Sequence, residues 1–141
     1  MPRVSSRKNS SPFIQVFEFA VDTSKRGRTL QTVRIGEVYM SRLTIDPGVV
    51  TGNYYHKKTK IMFFVTAGRV YAVFEHVRTK ERREMTLKPG TKVLHVPPWV
   101  SFATRNESDS DKAVVVYFSN LPLRSADSFE HVVLNGQASG E

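Results

Sequence analysis

Short apolar runs separated by turn residues dominate the chain and predict an all-β protein. Strands spaced about 8–12 residues apart, with turn signals between them, are typical of β-sandwiches and barrels. No helical pattern is long enough to support alternating strands and helices. The predicted strands cover residues 13–20, 30–35, 37–46, 61–65, 69–77, 83–87, 92–96, 99–104 and 113–118. A short helix capped by Ser125 or Asp127 is predicted over residues 125–134.

The 141 residues predict one folded domain flanked by two polar ends. We expect a flexible basic arm over residues 1–12, the β domain over 13–136 and a flexible tail over 137–141. No run approaches the roughly 20 apolar residues of a membrane helix, and the basic start lacks the apolar core of a signal peptide. We therefore expect a cytoplasmic protein that does not associate with a membrane.

Cysteine content and net charge limit the classes of function that the chain can have. The chain has no cysteine, which excludes disulfides, thiolate catalysis and zinc sites built on cysteine. Its net charge of +8 suits a polyanionic partner, either nucleic acid or a phosphorylated small molecule. A nucleic-acid role has little support, because the charges are scattered and no helix-turn-helix, finger or aromatic RNA motif is present. The alternative is that the surface is basic but binds no polyanionic partner.

Candidate chemistry centres on Tyr54 and His56, just before the apolar run at residues 61–65. Side chains at i and i+2 of a β-strand point to the same face. If the strand reaches Tyr54, both side chains enter the same space. Histidine is the side chain whose ordinary pKa suits proton transfer near pH 7.

Two segments resemble the paired motifs of the cupin superfamily. The first runs from Gly52 through His56 to Gly68, and the second runs from Gly90 through Pro97 to Asn106. The resemblance covers residues 37–120. Residues 52–58, together with residues 117–120 and 127–129, are similar to cupins of nucleotide-sugar metabolism, such as dTDP-sugar ketoisomerases and epimerases. The cupin resemblance implies a jelly-roll β-barrel, also called a double-stranded β-helix.

The resemblance also assigns positions to a metal site and to catalysis. Cupin metals are held by three His and a Glu, and the matching residues here are Tyr54, His56, Lys60 and Phe102. Since only one of the four is an ordinary ligand, we expect no metal, and we expect no other cofactor. Metal-independent sugar cupins place a base at the position of Tyr54 and an Arg at that of Thr51.

Tyrosine is a poor base at neutral pH, so the expected catalysis departs from the family pattern and uses His56 as base and Tyr54 as proton donor. The residues expected to bind a phosphorylated or nucleotide-linked sugar are Lys58, Lys60, Phe102 and Tyr71. Lys60 is expected to face inward, as its matched position does in cupins. Each residue has a structural alternative: a core histidine, barrel-filling aromatics or solvated lysines. His76, His95 and His131 are expected to be structural.

Three functions remain open at this point. The first is a sugar-nucleotide isomerase or epimerase. The second is a non-catalytic cupin that binds a ligand or forms a homodimer, with residues 13–20 crossing to the partner. The third is polyanion binding by six basic residues: Arg3, Arg7, Lys8, Lys25, Arg26 and Arg28.

Overall fold

The computed structural model describes residues 5–10, by their backbone alone, and residues 13–136. Within these residues the chain forms twelve β-strands and no helix. The strands are β1 (Ser5–Ser10), β2 (Gln15–Asp22), β3 (Arg28–Ile35), β4 (Val38–Ile45), β5 (Val50–His56), β6 (Ile61–Ala67), β7 (Val70–His76), β8 (Arg82–Leu87), β9 (Leu94–Val96), β10 (Val100–Asn106), β11 (Ala113–Ser119) and β12 (Ser128–Glu130). The all-β prediction is confirmed.

Two antiparallel sheets face each other as in a jelly roll. The first has seven strands in the order β1-β2-β3-β4-β11-β6-β9, and the second has five in the order β12-β5-β10-β7-β8. Burial alternates strictly along both β4 and β11, so each strand presents one face to the core. The predicted cupin jelly roll therefore agrees with the observed arrangement.

Aromatic rings fill the space between the sheets. Phe63 is fully buried, and its ring centroid lies 5.2 Å from that of Tyr117 and 5.7 Å from that of Phe102. Burial of such rings removes large apolar areas from water and supplies most of the driving force for folding. Phe102 and Tyr117 of this packed layer also line a cavity between the sheets.

The helix predicted over residues 125–134 is wrong. The carboxylate of Asp127 accepts hydrogen bonds from residues 57–59 and does not cap a helix. Residues 128–130 pair with β5 as strand β12. The chain then continues without regular structure, and Val133 and Leu134 pack on the outer face of the five-stranded sheet. Tertiary contacts with β5 override the local helical signal.

The two predicted ends are only partly within the described residues. Residues 5–10 of the predicted arm form strand β1, which pairs with β2. Residues 1–4, 11–12 and 137–141 lie outside the described part of the chain. The mobility of both ends therefore stays a prediction. No helix in the described residues is long and apolar enough to span a membrane.

Candidate functional site

A β-bulge in β5 sets which side chains enter the interior. Across from β10, Phe102 pairs with Tyr54 and Ala103 pairs with Gly52, so Asn53 is the extra residue. Gly52 has φ 103° and Asn53 has φ 70°, both in the left-handed region. A Cβ on Gly52 would lie 2.6 Å from the Phe102 carbonyl oxygen, so only glycine fits.

The bulge shifts the alternation of β5 by one residue. Thr51 faces inward, where its hydroxyl lies 2.9 Å from that of Thr104. Tyr54, three residues later, also faces inward, and His56 follows two residues after it. Tyr55 and Lys57 consequently face the opposite side of the sheet. The prediction that Tyr54 and His56 share one space is confirmed.

These side chains line a cavity of about 400 Å³ between the two sheets. Its wall includes four groups that carry or can carry positive charge, two phenols and two serine hydroxyls. The lining residues are Lys25, Arg28, Leu30, Leu43, Thr51, Gly52, Tyr54, His56, Phe102, Tyr117, Leu123, Arg124, Ser125 and Ser128. No carboxylate lines the cavity among the residues that the structure describes. The cavity is therefore suited to an anionic ligand.

His56 is held from behind by the segment that precedes β12. Its Nε2 lies 3.3 Å from the Leu123 carbonyl oxygen and 3.1 Å from Ser128 Oγ. Ser128 Oγ donates to the same carbonyl at 3.0 Å. Because a carbonyl only accepts, we assign the hydrogen to Nε2. Nδ1 has no hydrogen-bond partner in the described part of the chain and remains a free acceptor.

Burial lowers the pKa of His56 from its ordinary value, because the charged ring would lose its hydration. The Leu123 hydrogen bond and the nearby charge of Asp127 oppose the shift without cancelling it. His56 is therefore neutral near pH 7. A neutral imidazole with a free nitrogen can accept a proton.

Arg28 brings a guanidinium group into the interior. It is 6% exposed, and its Nη2 donates to the Val50 carbonyl oxygen at 2.7 Å. Arg124, on the same wall, forms an ion pair with Asp22. Lys25 Nζ lies 5.2 Å from the centroid of the Tyr54 ring. The cavity thus gathers cations from the β2–β3 loop, the start of β3 and the segment before β12.

Tyr117 contributes a buried phenol to the cavity wall. Burial raises its pKa above the ordinary range, and the nearby Arg28 charge only partly opposes this shift. The phenol therefore stays protonated and can donate a hydrogen bond to a ligand.

Three predicted substrate-binding residues lie outside this cavity. Lys58 and Lys60 are exposed, because hydrogen bonds from residues 57–59 to Asp127 turn the chain outward after His56. The prediction that Lys60 faces inward is therefore wrong. Tyr71 lies on the outer face of the five-stranded sheet, where its hydroxyl donates to Glu84. Phe102, by contrast, lines the cavity as predicted and is also part of the core.

Two of the other three histidines have structural contacts. His76 Nδ1 accepts hydrogen bonds from the backbone of Arg78 and Thr79 in the turn after β7. His131 Nε2 lies 3.0 Å from a carboxylate oxygen of Glu75. His95 is exposed on β9.

The residues at the cupin metal positions do not fit a metal ion. Lys60 lies outside the cavity, Phe102 has no donor atom, and His56 Nε2 already bonds to Leu123 and Ser128. In the described residues no group of three or more His, Cys, Asp or Glu side chains could hold a metal.

The sequence did not predict that Arg28, Arg124 and Ser128 lie on the cavity wall. Arg28 lies two residues before Leu30, in phase with the buried positions of β3. A strand predicted to start at residue 28 instead of 30 would have placed it inside. Ser128 and Arg124 had no such signal, because their position depends on contacts between segments about 70 and 100 residues apart.

Comparisons with known proteins bear on the fold and the family. Residues 22–128 match the sequence profile of the family described as Polysaccharide biosynthesis C-terminal domain. A comparison with curated proteins gave no match. Among solved structures, the chain is similar to the capsular polysaccharide assembling protein CapF from Staphylococcus aureus, with 20% identity over 82% of this chain and 32% of that chain and a TM-score of 0.72.

A CapF structure with the inhibitor 3-isopropenyl-tropolone gives the same TM-score of 0.72, with 20% identity over 84% of this chain and 35% of that chain. The chain thus spans about a third of the length of CapF. Vicilin from Corylus avellana has a TM-score of 0.64, with 17% identity over 80% of this chain and 35% of that chain. Oxalate oxidase has a TM-score of 0.60, with 14% identity over 70% of this chain and 53% of that chain. At these identities the likenesses show the fold alone, and they confirm the cupin resemblance.

Proposed function

The chain belongs to the Polysaccharide biosynthesis C-terminal domain family, and from this premise we propose that its cavity binds a nucleotide-linked keto-sugar without a metal. The observation that carries the proposal is the convergence of Lys25, Arg28 and Arg124 on the space next to Tyr54 and His56. Cations in a partly desolvated site bind phosphate oxygens strongly. The sugar would lie against Tyr54 and His56, and the diphosphate would lie near the cations.

Proton transfer at the sugar follows from the state of His56. Its free Nδ1 would take the proton from the carbon next to the ketone, and the electron pair of that bond would move to the carbonyl oxygen. The cations would stabilise the resulting enolate. Proton return from Tyr54 to the opposite face of the same carbon would invert the centre. Return to the former carbonyl carbon would isomerise the sugar, since the hydroxyl on the deprotonated carbon would give its proton to the enolate oxygen and become the new ketone.

A binding experiment tests the first part of this proposal. Thermal shift and calorimetry with a panel of UDP- and dTDP-sugars should show stabilisation by at least one nucleotide sugar and less by the free sugar. Lys25→Ala should weaken that binding about tenfold, a loss of about 1.4 kcal/mol. Lys112→Ala is the matched control, because Lys112 pairs with Asp46 away from the cavity. No stabilisation by any member of the panel would contradict the proposal.

Catalysis is tested separately from binding. With a bound keto-sugar in D₂O, the enzyme should exchange the hydrogen next to the ketone for deuterium, as measured by NMR. His56→Gln should abolish the exchange and keep the binding. Binding without exchange in the unmodified chain would leave a ligand-binding cupin that does no proton chemistry.

A non-catalytic dimerisation module is the second candidate function. Its supporting observation is a row of apolar side chains across the outer face of the seven-stranded sheet, where Met40 pairs with Phe118 and Phe118 pairs with Met62. Phe64 stacks on Phe118 in the same face, with centroids 6.5 Å apart. Apolar patches of this kind mark interaction surfaces. Light scattering at micromolar concentration should detect a homodimer that Met62→Glu dissociates, and a monomer would contradict this candidate.

A further inference from the structure

The outer face of β5 carries an aromatic cluster that the cavity does not use. Three rings, those of Tyr55, Trp99 and Phe129, meet where β5 and β12 pair and the chain enters β10. The Tyr55 centroid lies 5.7 Å from that of Trp99 and 5.5 Å from that of Phe129. All three side chains are partly exposed. We call Tyr55, Trp99 and Phe129 the aromatic cluster.

Trp99 is held in a backbone conformation that L-residues avoid. Its φ is 71°, in the left-handed region, which costs a residue with a side chain about 1–2 kcal/mol. Two backbone hydrogen bonds keep it there. Its N–H donates to His56 O at 2.7 Å, and its carbonyl accepts from Val77 N–H at 2.9 Å. These hydrogen bonds hold Trp99 in a costly backbone conformation and thereby fix the position of its indole ring.

Two cations lie on the aromatic cluster. Arg78 Cζ is 3.9 Å from the Trp99 centroid, and Lys57 Nζ is 4.3 Å from the Phe129 centroid and 5.4 Å from that of Trp99. Both side chains are exposed, and in the described part of the chain neither forms a salt bridge. Other basic residues nearby do: Arg82 pairs with Glu75 at 3.2 Å. The rings thus hold two charges in place without neutralising them.

We propose that Lys57, Arg78 and Trp99 form a surface binding site for a carboxylated saccharide. A guanidinium held over an indole ring can still use its N–H groups for a bidentate bond to a carboxylate. Both cations lie within 5.4 Å of one ring centroid, so a single acidic sugar unit can reach both. The partly exposed rings offer an apolar surface for the sugar ring. This site lies on the other side of β5 from the cavity and does not depend on its chemistry.

The surrounding charges favour an acidic sugar over a nucleic acid. A nucleic acid is bound by a track of cations that follows its phosphates. Here the carboxylates of Glu75 and Glu84 lie on the same outer face of the sheet, and Glu75 contacts His131, whose ring centroid is 6.3 Å from that of Tyr55. They interrupt any such track in the described surface. A compact ligand with one or two carboxylates avoids this repulsion.

Trp99 is the only tryptophan of the chain, so its fluorescence reports on this site alone. At low salt, a tetrasaccharide of alternating glucuronate and N-acetylglucosamine should give a saturable change in emission. A neutral tetrasaccharide of N-acetylglucosamine should give none at equal concentration. Arg78→Gln and Lys57→Gln should each weaken binding about tenfold. Lys80→Gln, which removes a charge from the same turn, should leave binding unchanged.

The outcomes separate this site from the cavity. Lys25→Ala, which alters the cavity, should leave the tetrasaccharide affinity unchanged even if nucleotide-sugar binding fails. The proposal is overturned by an equal response to the neutral tetrasaccharide, by no response at all, or by wild-type affinity in Arg78→Gln. Tighter binding of a single-stranded oligonucleotide than of the acidic tetrasaccharide would also overturn it and would assign the surface to nucleic acid.

Discussion

The two faces of strand β5 carry neighbouring residues with opposite surroundings. Tyr54 and His56 face a cavity between the sheets, where burial keeps His56 neutral. Tyr55 and Lys57 face outward. There the Tyr55 ring packs on that of Trp99, and the exposed Lys57 ammonium lies over the ring of Phe129. The residue types on the two faces are similar, a tyrosine followed by a basic group. Burial decides that one pair suits proton transfer and the other suits charge recognition.

The difference depends on a single register choice. A one-residue slip in a strand exchanges its two faces, and the bulge at Gly52 and Asn53 makes this choice in β5. Asn53 also reaches outward, where its Oδ1 accepts hydrogen bonds from the backbone N–H groups of Val133 and Leu134 at 2.8 and 3.1 Å. The bulge therefore fixes the cavity side and the outer side together.

The largest expected effect comes from removing the bulge glycine. Gly52→Ala should destabilise the protein by about 3 kcal/mol, since the new Cβ meets the Phe102 carbonyl and φ stays strained. Urea unfolding measures the change. Gly36→Ala is the matched control: its φ is also positive, at 62°, but nothing lies within 4 Å of the added Cβ. It should cost about 1 kcal/mol. Equal losses in both variants would show that close packing at the bulge is unimportant.

A smaller effect is expected at Asp127, which fixes the turn where β5 ends. Burial alone would raise its pKa, but hydrogen bonds from Thr59 and from the backbone of residues 57–59 lower it to about 2. Because the folded pKa lies below the unfolded value of 3.8, this stabilisation is present above about pH 4 and disappears as the pH falls toward 2. Asp127→Asn should therefore cost about 1 kcal/mol at pH 7.

The pH dependence of this variant is the sharper measurement. The difference in unfolding free energy between wild type and Asp127→Asn should shrink between pH 5 and pH 2.5. Asp109→Asn changes an exposed carboxylate in a turn and should alter stability by less than about 0.5 kcal/mol at every pH. A cost for Asp127→Asn that does not change with pH would contradict the assigned role of the charge.

The sequence predicts nine of the twelve strands in the described residues, all but β1, β5 and β12, because their signals are local. The apolar run of β11, the turn residues between strands and the two-residue period of strand side chains can all be read without any partner. The inward direction of Tyr54 and His56 follows from the same period. The predicted inward direction of Lys60 is wrong, because Asp127, 67 residues away, turns the backbone outward before that position.

The cation set of the cavity could not be predicted for a related reason. Arg124 lies about 100 residues from Lys25 and Arg28 in the sequence, and only the packed sheets bring it to them. Buried charge also contradicts the usual expectation that arginine lies at the surface. The aromatic cluster is similarly hidden, since it depends on the left-handed turn at Trp99 after Pro97 and Pro98. A Pro-Pro-Trp sequence does not by itself reveal that the tryptophan adopts a left-handed backbone conformation.

The smallest expected effect concerns His56 itself and isolates the inner face of β5. Since burial lowers its pKa below the ordinary value of 6.5, the unfolded chain binds a proton before the folded chain does as the pH falls. The contribution of His56 to stability should therefore decrease from pH 7 toward pH 5, and His56→Gln should lack this decrease. His95→Gln, which alters an exposed histidine, should keep the wild-type profile. An NMR titration of His56 with a pKa at or above 6.5 would contradict the buried, neutral imidazole on which the difference between the two faces depends.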